Sequence, residues 1–235
     1  MTPPQHWFDA TEPAALLLLG DIKQLDRTSS ALFISELAID AYHHTTEQER
    51  THTFNTAIHV IQKWTTDPTL FEESDLSATS QALNRNDVNR TTQVNLQNIY
   101  VMSLFAITMI IDANSTQRRA KDNMYDHVKL SALQVFTRTP DNSQPTRAKN
   151  THRAHALFNQ IRGPLHLQHL SLDLINPTTT ALARQVRAAR DTSILPILAD
   201  ALQDAGCDEE ELLHQLRHET SGHSPSSWVI RQLTP

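Results

Sequence analysis

Four glycines in 235 residues leave this chain few positions where the backbone can adopt positive φ without strain. Two-residue β-hairpin turns rely on such positions, and so do the glycine-rich loops that cradle phosphates. Their scarcity argues against hairpin-rich β architecture and against a phosphate loop. Long helices joined by short polar turns fit better. Apolar residues are only 39% of the chain, but they return in periodic blocks rather than thinning out, which is the pattern of a folded protein. A chain of this length can bury a sizeable core.

The periodic blocks locate the helices. Thr11 can cap a first helix that ends near Gly20. The stretch "SSALFISELAIDAYHH" returns Leu32, Phe33, Leu37, Ile39 and Tyr42 at roughly helical spacing. Thr46 opens "EQERTHTFNTAIHVIQKW", with Phe54, Ile58, Ile61 and Trp64 as its inward side, and Asp67-Pro68 stops it. A polar helix is expected around "SDLSATSQALN". The block "IYVMSLFAITMII" over 99–111 is apolar throughout and closed by Asp112. Its thirteen residues fall short of the roughly 20 that a membrane-spanning helix needs, so it reads as a buried core helix. "QRRAKDNMYDHVKLSALQVF" follows, with Met124, Val128, Leu130 and Leu133 as inward candidates.

The segment "TRTPDNSQPTRAKN" (137–150) holds two prolines and no aliphatic residue except Ala148, and it reads as the clearest loop in the chain. Helices near 151–162 and 178–190 come after it. The expected fold class is all-α with about nine to eleven helices. The chain makes a single domain over 1–235, or two lobes, 1–139 and 150–235, joined by the 140–149 loop.

The stretch "ILPILADALQDAGCDEEELLHQLRHE" reads as a helical hairpin. Ile194, Leu195, Leu198, Ala201, Leu202 and Ala205 share one face, while Asp200, Gln203 and Asp204 share the other. Pro196 sits in the first turn, Gly206 is placed to end the helix, and Asp208 with Glu211 can cap the next one. Glu211, His214 and His218 share a face and could present metal ligands. Leu212, Leu213 and Leu216 mark the opposite face as the buried one, which turns the trio toward solvent.

"LPILADALQDAGC…LLHQLR…H…W" resembles the C-terminal signature of a highly duplicated all-helical family of unknown function from planctomycete-type bacteria. In that family a leucine-proline helix, an Ala-Gly-Cys corner and a leucine-rich helix ending in Arg precede a His and a Cys-Trp pair. "ALFNQIRGPL" and "TTTALARQVRAARDTSILPILADAL" extend the likeness over about 155–233, and "HWFDATEP" carries a fainter one over 5–65. Gln215-Leu216 replace the family's His-Cys pair, and Ser227 replaces the Cys before Trp228. Cys207, His223 and Trp228 match. The resemblance implies a helical fold, a bacterial source and a soluble location, and it implies no activity.

Recognisable catalytic chemistry is scarce. There is no G-x-S-x-G elbow, Walker loop, G-x-G-x-x-G or H-E-x-x-H. His52 and His59 share a helix face, and His43-His44 end the preceding helix, so a histidine cluster between two helices is conceivable. Thr, Asn and Gln surround these positions, rather than the carboxylates that orient metal-binding imidazoles. Cys207 is the single cysteine, which leaves no intrachain disulfide and no thiolate-rich metal site, and a buried structural thiol is its expected role.

Charge is segregated along the chain. Residues 118–153 carry eight Lys/Arg against three acidic residues, a net of +5, between flanks of −8 and −3. The candidate interaction surface is therefore Arg118, Arg119, Lys121, Lys129, Arg147, Lys149 and Arg153. A phosphate backbone or an acidic protein could meet such a band. The overall charge of −6 opposes steering of a polyanion, and Tyr125 and Phe136 are too few to form a stacking platform. The expectation is a non-enzymatic interaction or adaptor protein with an unidentified protein partner, no metal and no cofactor. The alternatives are a histidine-based metal-dependent enzyme and a nucleic-acid-associated factor using the basic band. "MTPPQHWFDATEP" lacks the basic and apolar regions of a secretory signal, so a cytoplasmic protein with no membrane segment is expected.

Overall fold

The computed structural model describes residues 25–44, 52–67, 72–85, 94–114, 129, 131–133, 144–163, 170–218 and 227–234. The fold class is all-α, with no strand among the described residues. Nine α-helices are delimited: α1 (Arg27–His43), α2 (His52–Thr66), α3 (Glu73–Arg85), α4 (Val94–Asn114), α5 (Gln144–Arg162), α6 (Pro177–Ala189), α7 (Leu195–Asp204), α8 (Glu210–His218) and α9 (Trp228–Leu233). Lys129 and residues 131–133 are helical as well. The expected helix capped by Thr11, the start at Thr46 and the side chains of Met124, Val128 and Leu130 lie outside the described residues. The chain divides into two units, residues 1–61 with 72–155, and residues 62–71 with 156–235.

In the first unit, Asp26 starts α1 by accepting the Ser29 N–H at 2.8 Å and the Ser29 hydroxyl at 2.9 Å. Sequence spacing suggested one inward face for this helix. In the structure every residue from Ser29 to Ile39 is buried, Glu36 included. A helix apolar on most sides is one enclosed by neighbours, and α1 packs chiefly against α4. Arg27 Nη1 lies 3.5 Å from Asp112 Oδ2, which ties the start of α1 to the end of α4.

Helix α4 carries the apolar block into the core through Met102, Ala106, Ile107, Met109 and Ile110, as its composition predicts. No helix among the described residues is long and apolar enough to cross a membrane. Helix α3 packs on α4 and buries Leu76, Thr79 and Leu83, a single stripe at helical spacing. From α2, Phe54, Ala57, Ile58 and Ile61 are buried.

Helix α5 begins at Gln144, inside the segment expected to be a loop. Pro145 does not prevent this, because the first turn of a helix has no intrahelical partner for its N–H groups. The expected 140–149 linker is thus helical from Gln144 onward, and the units change at 155/156 as well as at 61/62 and 71/72.

The second unit is built around one cluster that includes Leu174, Val186, Leu195, Leu198, Leu202, Leu213, Leu216, Trp228 and Ile230. The leucine faces of the sequence hairpin are the buried ones, and Asp200, Gln203 and Asp204 are exposed. Helix α7 ends in a complete Schellman motif. Gly206, at φ +96, donates its N–H to Gln203 O at 2.9 Å, and Cys207 N–H reaches Leu202 O at 2.9 Å. Cys207 and Leu202 are both buried, the apolar pairing that accompanies this motif. The Ala-Gly-Cys corner is therefore a helix stop with a small apolar residue turned inward. Helix α8 starts at Glu210, one residue beyond the start that a cap at Asp208 implies, with Leu213 N–H on Glu209 O at 3.0 Å. A capping box of Asn176 and Thr179 opens α6.

Arginines close the carbonyl ends of helices in this unit. Arg187 Nε donates to Thr65 O at 3.5 Å, and Arg190 Nη1 donates to Thr65 Oγ1 at 2.9 Å. Arg231 Nη2 donates to Ile161 O at 2.7 Å, in the last turn of α5. A cation at that end also complements the helix dipole.

Candidate functional site

The basic band belongs to the first unit, and the structure separates its members by what each side chain does. Lys149 is exposed on α5. Arg153, one turn further along the helix, forms an ion pair with Asp40 of α1. Its Nη2 also lies 2.8 Å from His44 Nδ1. The same Nδ1 lies 2.9 Å from the Asp40 carbonyl oxygen. Arg153 Nη1 donates to Asn150 Oδ1 at 3.4 Å. Arg153 thus ties α5 to the end of α1.

Lys129 corrects the sequence reading. It is only 4% exposed, and its Nζ donates to the Leu25 carbonyl at 3.4 Å, just before α1. A lysine held inside in this way does not form a contact surface. Its apolar stem fits the helical pattern with Ala132 and Leu133, both buried, and the ammonium meets a carbonyl at its end. Arg147 lies on α5, and its side chain is outside the described residues, as are Arg118, Arg119 and Lys121.

The histidine constellations resolve differently. His214 and His218 stand with ring centroids 4.6 Å apart on the exposed side of α8. Glu211 accepts from Gln215 Nε2 at 3.4 Å. His52 and His59 are both exposed on α2, and His43 and His44 are exposed at the end of α1. Among the described residues no group of three or more His, Cys, Asp or Glu is placed to hold a metal ion. Cys207 is buried.

Several groups escaped the sequence reading. Arg187 is half-buried, and burial pulls its pKa below the ordinary arginine value while nearby Asp67 pushes it back up. Asp191 is held below the usual carboxylate value by the hydrogen bonds it accepts from Ser193, whose N–H is 2.9 Å away. Ile197 on α7 and Leu172 are exposed large apolar residues. Ile197 was assigned to no face in the hairpin, although 100° per residue sets it beside Asp204 on the polar side.

Chemically, the described part of the band offers one kind of contact. An exposed ammonium on a helix can meet carboxylates or phosphates at the surface, where salt screens it. No family model, curated protein or solved structure matches this chain.

Proposed function

We propose that the protein is a non-enzymatic helical interaction or adaptor module that recognises an acidic protein partner through the cations of the 118–153 segment. The observation that carries this reading is the segregation of charge, +5 over 118–153 between flanks of −8 and −3. A local excess of one sign attracts the opposite sign and sets orientation on encounter. The exposure of Lys149 supports it, because that side chain is available at the surface. The contacting set is Arg118, Arg119, Lys121, Arg147 and Lys149. Arg153 is a positioning residue engaged with Asp40, and Lys129 serves the core.

Affinity capture from the source cell, using the native chain and a variant with Arg118, Arg119, Lys121 and Lys149 changed to Gln, tests the proposal. An acidic protein retained by the native chain and lost with the variant, most clearly at low salt, is the expected result. Capture that is indifferent to the four substitutions would overturn the assignment of the surface. Direct titration with duplex DNA and with single-stranded RNA separates the remaining reading. Tight nucleic-acid binding at physiological salt, abolished by the same substitutions, would replace the protein partner with a polyanion. For duplex DNA, log affinity would then fall with log salt at about −0.9 per neutralised phosphate.

A further inference from the structure

We draw no further inference here: the strongest candidate, the outer face of the α7–α8 hairpin where exposed Ile197 shares the hairpin with Asp200, Asp204 and Glu211, is an acidic face beside a single apolar side chain, and nothing in the structure shows what covers it.

Discussion

Gly163 and Trp228 stand so close that a Cβ on Gly163 would lie 2.6 Å from Trp228 Cγ. Gly163 also adopts φ +78 as it ends α5, with its N–H on Asn159 O at 2.8 Å. One turn along α9, Arg231 reaches the Ile161 carbonyl at 2.7 Å. Trp228 and Arg231 therefore hold the end of α5 together, the first by close packing and the second by a charge-assisted hydrogen bond.

Two glycines with similar backbones should then respond differently to alanine. Gly206, at φ +96, has nothing within 4 Å of its added Cβ, so Gly206→Ala meets backbone strain alone, about 1–2 kcal/mol. Gly163→Ala meets the same strain and must also displace a buried indole, which adds about 1–3 kcal/mol of overpacking. Chemical denaturation followed by circular dichroism measures both. Equal losses would show that Trp228 moves aside freely and that the close approach carries no energetic weight.

The two faces of α7 give a second contrast. Leu202 is fully buried in the second unit's core, so Leu202→Ala should cost about 2–5 kcal/mol. Ile197 is 58% exposed on the same helix, and Ile197→Ala should stay within about 1 kcal/mol. A near-neutral Leu202→Ala in thermal unfolding would mean that the leucine face is not inside.

Lys129 and Lys149 lie in the same basic segment and should separate stability from binding. Lys129→Ala removes a buried stem and a charge-assisted donor from the Leu25 carbonyl, which keeps the Ser30 hydroxyl at 3.3 Å, and should cost about 1–3 kcal/mol. Lys149→Ala should change stability by no more than about 0.5 kcal/mol, and should weaken capture of an acidic partner. If Lys149→Ala unfolds the protein while Lys129→Ala does not, the assignments are reversed.

Asp191 predicts a pH effect of known sign. Hydrogen bonds from Ser193 depress its pKa in the folded state, so the unfolded chain binds the proton more readily. Its contribution is complete above the unfolded carboxylate value of about 4, and is lost as pH falls through the lower folded value. Asp191→Asn cannot titrate, so the stability difference between native chain and variant should shrink on acidification below about pH 4. A difference that stays constant from neutral pH down to strong acid would remove Asp191 from the acid limb. Denaturant midpoints across that range provide the measurement.

Much of the local architecture was legible in the sequence. Asp67-Pro68 ends α2, with Asp67 N–H on Lys63 O at 2.9 Å, because proline constrains the residue before it. Gly206 ends α7 because positive φ there excludes ordinary side chains. The leucines of α7 and α8 name their buried faces by period alone. Each of these signals acts within a few residues. The candidate surface was legible only as a charge excess, since composition counts cations without saying which of them face water.

Contacts between residues far apart in the chain were not legible in this way. Prolines at 140 and 145 made 137–150 read as a loop, although Pro145 is compatible with the first turn of α5 once that helix has packing to hold it. Lys129 looked like a surface cation until the fold set its Nζ against a carbonyl 104 positions away. Arg153 meets Asp40 across 113 positions, and Arg231 meets Ile161 across 70. Periodicity, capping and turn chemistry are local free energies, so they mark most of the described helices and, in α7 and α8, the sides that are apolar. Which side chains meet across the chain depends on how all the apolar faces close together, and that choice is made only by the packed structure.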